Sequence, residues 1–394
     1  MGIGGQAAVA ADRVADRGPV ELTGPLFIGS EVYRGSSYGV NHPLRVPRVS
    51  TVMDLCRALD WLGPGRYRTS PRAKVAALEH WHSPAYLQAL LTAEATGEVS
   101  AETRARHHLG TLSNPVFPEM FSRPATGAGG VMLAAELLAQ SPGAVHVPGG
   151  GTHHGLPDRA NGFCYLNDPV LAMLAFRRAG VRRLAYIDID AHHCDGVQHG
   201  FAGDAESLLI STHEENRWPM IGGQTLGTLA DDGGGNCFNL PVPRGFNDSE
   251  MRAVLHELIL PRVESFGPEA IILQAGADGV EEDPLARLSL SNNAHIEVLR
   301  ALRPLAPRFL LLGGGGYNPW TVGRCWSALW ATLSGQEIPD RLPKDAQAVL
   351  AALHWGGGGR PPPAPQLLTT LLDAPREGPV RPEMRARLAQ LALR

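Results

Sequence analysis

The sequence predicts an α/β fold: a single domain on an open, mostly parallel sheet, with helices on both faces and an active site at the carboxyl ends of the strands. Two observations predict it. Strand-like and helix-like stretches alternate over most of the 394 residues, the pattern of a parallel sheet covered on both sides. Four short apolar runs, at 144–147, 184–187, 270–273 and 309–312, each lead straight into a polar cluster. Ligands of open α/β sheets bind beyond the carboxyl ends of the strands. Four stretches far apart in sequence are therefore expected to meet at one sheet edge.

Residues 1–20 carry Asp12 and Asp16 and no solid apolar block, so they read as a flexible leader and not as a signal peptide. Residues 26–28 are a short apolar run. Between 46 and 62, Val49, Val52, Met53, Cys56 and Leu59 share one face at helical spacing, and Gly63-Pro64-Gly65 stops the helix. Helices are predicted at 80–91, 126–138 and 168–178, the last with Asp168 as N-cap and Pro169 at the first helical position. Others at 248–266, 292–302 and 320–333 alternate with apolar strands. The stretch 354–365 holds four consecutive glycines and three consecutive prolines and is of low complexity. It divides a catalytic domain at 21–345 from a linker and tail at 346–394, ending in a small helix near 382–393.

Composition narrows the class. Apolar residues make up 44% and charged residues 19%, as in soluble globular enzymes. No apolar run approaches the roughly 20 residues of a membrane span. A net charge of −4 lacks the basic footprint of nucleic-acid binders and suits a positively charged substrate better. Neither nucleic acid nor membrane is expected as a partner, and a homo-oligomer is compatible with the sequence. The cysteines are Cys56, Cys164, Cys194, Cys237 and Cys325. They are odd in number, widely spread and without a C-x-x-C pair, so a reducing cytoplasm is expected. Cys164 and Cys194 lie within the polar clusters but read as small apolar filler.

The clusters carry the chemistry. Asp190 and His192 are two apart at a strand end, and in extended backbone such residues face the same side. Asp278, from another strand end, is the natural third ligand. Two carboxylates and one imidazole leave a position open, as a catalytic zinc requires; Fe(II) or Co(II) would also be accepted. Asp188 and Asp195 read as carboxylates that orient His153 and His154. One of those imidazoles can then act as base while the other stays charged. Tyr317 follows four glycines, which let the backbone approach closely. Its phenol is a sensible donor to an oxyanion.

The motifs PGGGTHHG (148–155), GFCYLND (162–168), YIDIDAHHCDGVQ (186–198), QAGAD (274–278) and LGGGGYN (312–318) together resemble the histone deacetylase superfamily, within it the bacterial acetoin-utilisation-type enzymes. The resemblance runs from about residue 25 to about 343 and implies an arginase/deacetylase-like fold. It implies zinc at Asp190, His192 and Asp278. His154 would be the general base and acid, His153 its electrostatic partner, and Tyr317 the group that polarises the acetyl carbonyl. Gly162 and Phe163 would wall a narrow channel for a lysine stem, with Trp218 opposite and Leu285 at the rim. Arg48 would guide acetate out. A structural potassium ion is implied near Asp188, Asp190, His192, Ser211 and Thr212. The expected partner is an acetylated lysine-bearing protein or peptide, or an acylated amine.

One departure stands out. Where the family usually places an aspartate that grips a peptide backbone, this chain has Ser113, so looser peptide anchoring or a small acylated amine as substrate is expected. Three other readings compete. A binuclear manganese amidinohydrolase of the arginase type needs a carboxylate two residues after the ligand histidine, where this chain has Cys194. An acetylpolyamine deacetylase tends to need a carboxylate at the channel rim, where this chain has Leu285 with Glu281, Glu282 and Asp283 close by. A non-catalytic acyl-lysine binder would not need every catalytic position filled.

Overall fold

The computed structural model describes residues 22–35, 38, 42–221, 223–355 and 360–394; the leader at 1–20 and the glycines at 356–359 lie outside them. The strands are β1 (Leu26–Gly29), β2 (Tyr67–Thr69), β3 (Gly143–Val147), β4 (Leu184–Asp188), β5 (Ser207–Glu214), β6 (Met220–Ile221), β7 (Gln224–Thr225), β8 (Cys237–Val242), β9 (Ala270–Gln274) and β10 (Arg308–Leu312). Eight of them form one sheet in the order β2-β1-β3-β10-β9-β4-β5-β8, with every pairing parallel. β6 and β7 form a small antiparallel pair.

The four apolar runs of the sequence are the four central strands. They lie side by side and end level: Val147 pairs with Leu312, Leu312 with Gln274, and Gln274 with Asp188. Consecutive strand residues point to opposite faces, and both faces are apolar here. Phe309, Leu311, Ile271, Leu273, Ala185 and Ile187 join the larger core cluster. Leu310, Leu312, Ala270, Ile272, Leu184 and Tyr186 join the smaller one on the opposite face. A strand buried on both sides reads as a continuous apolar run. A third cluster, with Tyr86, Leu87, Phe117, Tyr165 and Leu166, comes largely from the long excursion between β2 and β3.

Local chemistry moved several helix ends. The helix expected at 46–62 is Val49–Ala58. The one expected at 80–91 starts afresh at Pro84 and runs to Thr96, because Ser83 caps the Tyr86 N–H and Pro84 sits in the first turn. The N-cap of Asp168–Arg178 is Asn167, whose side chain accepts from the Val170 N–H. Asp168 is therefore already helical, and its carboxylate is used elsewhere. The stretch 248–266 is helical throughout but carries a wider turn at Leu255–Ile259. Pro261 lies just beyond that turn and supplies no N–H to the preceding carbonyls.

Residues 365–394, read from sequence as tail, lie on the larger core cluster through Leu367, Leu371, Met384, Leu388 and Leu391. The last three recur at helical spacing on the helix Pro382–Ala392. Among the described residues no helix is long and apolar enough to cross a membrane.

Leu311 is fully buried at the centre of the sheet. Leu311→Ala is expected to cost about 2–5 kcal/mol of stability, read as a lowered midpoint in chemical denaturation.

Candidate active site

The level ends of β3, β10, β9 and β4 deliver the polar clusters to one place. Among the described residues one group of three metal-ligating side chains occurs: Asp190, His192 and Asp278, all buried, with ligand atoms within 4.8 Å of one another. His192 Nδ1 lies 2.9 Å from Asp278 Oδ2 and 3.3 Å from Asp190 Oδ1. Ligand bonds of about 2.0–2.2 Å in a tetrahedral array put neighbouring donors about 3.4 Å apart, so these residues fit a zinc-sized ion. Backbone N–H groups hold the remaining lone pairs. Gly315 donates to Asp190 Oδ2 at 2.6 Å, and Ala191 donates to Asp278 Oδ1 at 3.0 Å. A Cβ on Gly315 would stand 2.0 Å from Asp278 Oδ2, so only glycine lets this backbone reach the carboxylates.

Two histidine–carboxylate pairs lie against this cluster. His153 Nδ1 meets Asp188 Oδ2 at 2.7 Å, and His154 Nδ1 meets Asp195 Oδ1 at 2.7 Å. An ionised carboxylate only accepts, so each Nδ1 carries the proton and each Nε2 turns toward the cluster side. The two rings are 3.9 Å apart. Asp188 also accepts from Tyr186 Oη at 2.7 Å and from Asp190 N at 3.0 Å. Asn161 Nδ2 holds the other oxygen of Asp195 at 2.8 Å.

The pairs differ in charge. Burial disfavours the His153 imidazolium, but Asp188 and Asp190 outweigh it and raise the group to about 9. Burial depresses His154 well below the usual histidine range, and the neighbouring His153 adds to this. Near neutrality one ring is charged and its neighbour is not. Burial also pushes the Tyr317 phenol well above its ordinary value, so it stays an O–H donor.

The expected channel residues gather at the same edge. The Phe163 ring lies 6.0 Å from Tyr317, nearly perpendicular, and the Trp218 ring lies 4.5 Å from His154. A Cβ on Gly162 would stand 2.0 Å from Trp218, so the wall needs glycine there. Leu285 packs on the cluster that contains Phe163 and Tyr317. Ser113 is exposed, and its carbonyl faces His42 Nε2 at 3.2 Å. A cavity of about 40 Å³ at this edge is lined by Arg48, His153, His154, Phe163, Asp190 and Tyr317. Arg48 Nη1 donates to Gly314 O at 2.7 Å. Ser211 and Thr212 lie on β5, Ser211 paired with Asp188. Thr212 Oγ1 is buried with no hydrogen-bond partner. Cys194 faces the smaller apolar cluster, as filler would.

Sequence reasoning missed several supports. Asn114 Oδ1 accepts from the Phe163 N–H at 3.1 Å. Asp168 accepts from Gly151 N at 2.7 Å and Thr152 N at 3.0 Å. Asp283 accepts from Tyr317 N at 2.6 Å and Leu285 N at 2.9 Å. Asn161 was legible in part, since it precedes the Gly162 turn; nothing local marked Asn114 or Asp283.

A buried cluster of three candidate metal ligands at the carboxyl edge of a parallel sheet, flanked by two histidine–carboxylate pairs, has the layout of a hydrolase of the arginase and deacetylase architecture. The chain belongs to the histone deacetylase family: residues 42–333 match the histone deacetylase domain. It is 32% identical to the acetoin utilization protein AcuC of Bacillus subtilis, over 81% of this chain and 84% of that one. It is 32% identical to histone deacetylase 6 of Arabidopsis thaliana, over 78% of this chain and 65% of that protein. The crystal structure of an HDAC homolog from Aquifex aeolicus superposes with a TM-score of 0.87 at 33% identity, covering 94% of this chain and all of that one.

Zinc titration is expected to saturate near one ion per chain, the stoichiometry of a single catalytic site. Gly315→Ala should leave the protein folded by circular dichroism but lower zinc affinity at least about tenfold, read by metal analysis after dialysis, with a smaller rise in melting midpoint on adding zinc.

Proposed function

We propose that this chain hydrolyses the amide of an acetylated or otherwise acylated lysine in a protein or peptide, giving free amine and acetate, with zinc held by Asp190, His192 and Asp278. The observation that carries the proposal is the pair of imidazoles 3.9 Å apart, each tied to its own carboxylate, beside the three-ligand cluster. Zinc bound there supplies Lewis acidity to the acyl carbonyl and to an attacking water.

The chain's own residues do the rest. His154 is neutral, with Nδ1–H held by Asp195, so its Nε2 takes the proton from the attacking water. The same nitrogen returns a proton to the departing amine. His153 keeps its charge beside Asp188 and stabilises negative charge on the adduct. The Tyr317 O–H donates to the oxygen on which that charge develops. Phe163 and Trp218 flank the substrate stem, Leu285 lines the rim, and Gly162 leaves room for the Trp218 ring. Arg48 guides acetate from the cavity it lines. A structural potassium ion near Asp188, Asp190, His192, Ser211 and Thr212 belongs to the same proposal, supported by the unpartnered Thr212 hydroxyl.

An acetylpolyamine substrate is the second reading, favoured by Ser113 standing where a peptide-gripping aspartate would help. The rim weakens it. Asp283 is occupied by two backbone N–H groups, and Glu281 and Glu282 pair with Arg376, so each of these three carboxylates is already engaged.

The purified protein should release acetate from acetyl-lysine peptides faster than from acetylpolyamines, and a chelator should stop it; the reverse order would select the second reading. Adding back Zn(II), Fe(II) or Co(II) identifies the working metal. Tyr317→Phe should lower kcat by about 10²–10³ while zinc stays bound. The pH profile of kcat/KM should be bell-shaped. Its acid limb should fall below pH 6.5, as His154 gains a proton, and its alkaline limb near pH 9, as His153 loses one. A rate that rises steadily through pH 10 would remove the charged His153 from the mechanism.

A further inference from the structure

We infer that the C-terminal segment positions the two loops that build the channel, with Arg376 holding the Tyr317–Leu285 side and Arg387 the Trp218 side. The inference rests on the catalytic reading above and adds residues beyond the matched domain, which ends at 333.

The segment is anchored deep. Arg324, fully buried, donates to Thr370 O at 2.6 Å and Leu372 O at 2.9 Å and pairs with Asp373 at 2.5 Å. Asp373 Oδ2 in turn accepts from Asn292 N at 2.9 Å. From this anchor Arg376 reaches the rim. Its Nε lies 2.8 Å from Glu281 Oε2, its Nη2 pairs with Glu282, and its Nη1 donates to Leu290 O at 2.6 Å.

The inner side of the same loop holds the phenol. Asp283 accepts from Tyr317 N and Leu285 N, and Glu282 O accepts from Asn318 Nδ2 at 3.1 Å. The loop is thus gripped between Arg376 outside and Tyr317 inside. This matters because Tyr317 follows a glycine run with little stiffness of its own.

The second loop is treated alike. Arg387 Nη2 lies 2.7 Å from Glu215 Oε2, and its Nη1 donates to Pro241 O at 2.6 Å. Glu215 is three residues before Trp218. Arg217, beside Trp218, donates to Leu285 O at 2.7 Å and to Glu214 Oε1 at 2.8 Å, tying the two loops together. Ion pairs this exposed add little to global stability. What they supply is placement, because rim loops have few other constraints and a small displacement at a reacting group is costly.

The test uses the full-length, zinc-loaded protein. Arg376→Gln should lower kcat on an acetyl-lysine peptide roughly 5–20-fold, with KM within about twofold. Amide exchange should quicken at 279–290 and 314–318, while the melting midpoint and zinc content hold. Arg376→Lys should recover much of the rate. In a Tyr317→Phe background the same Arg376→Gln change should cost less than about twofold, because it acts through the phenol. Arg387→Gln should chiefly raise KM. Equal losses in both backgrounds, or losses that track melting and zinc, would overturn the inference and leave the segment a structural cover. The exchange measurement needs no turnover. A wild-type chain inactive on acetyl amides would defeat the catalytic reading, while unchanged exchange in Arg376→Gln would defeat this one.

Discussion

Two aspartates that must be buried side by side set the terms for the rest of this molecule. Asp190 and Asp278 lie together with almost no exposure to water, and a single imidazole separates them. Like charges in a desolvated site are strongly unfavourable unless a cation and fixed dipoles offset them. The fold supplies the dipoles through the Gly315 and Ala191 N–H groups, and the proposed divalent ion would supply the charge. The glycine run, the level strand ends and the crowded carboxyl edge of the sheet all serve that one requirement.

The two histidines show how similar side chains are driven to different tasks. Each is buried and each is tied to an aspartate, yet their protonation diverges. Burial weighs against charge on both rings; Asp188 and Asp190 overcome it at His153, while at His154 burial and the neighbouring His153 act in the same direction. Environments that separate the titration of neighbouring groups leave like side chains in different protonation states. The aspartates Asp188 and Asp195 are also held by Tyr186 and Asn161, which fixes the acceptors that orient the two imidazoles.

Much of this was legible in the sequence because it is local. The four central strands are continuous apolar runs, and their ends came out within a residue of the expected positions. Asp190, His192, His153 and His154 sit in tight motifs at those ends, so their convergence followed from topology alone. What stayed hidden depends on distant contacts. Asp283 looked like one more rim acid; its burial under Tyr317 comes from a loop closure with no periodic signature. Asp168 looked like a cap, yet the actual cap is Asn167, and the freed carboxylate braces Gly151 and Thr152. The stretch beyond 345 looked like linker and tail because glycine and proline dominate 356–365, yet its first residues belong to the helix Lys344–Ala351. The leucines that dock it are too sparse to stand out without the surface they meet.

The third apolar cluster, over the carboxyl edge, has a consequence of its own. It is built mainly from the excursion between β2 and β3, while the candidate site residues follow β3, β4, β9 and β10. Tyr317, which follows β10, belongs to this cluster as well, so the two parts meet at the phenol. Excursion residues away from Phe163 and Tyr317 are placed to change size or polarity while Asp190, His192 and Asp278 keep their positions. A scaffold divided this way can explore new diets by redrawing its ceiling while the fire beneath stays lit.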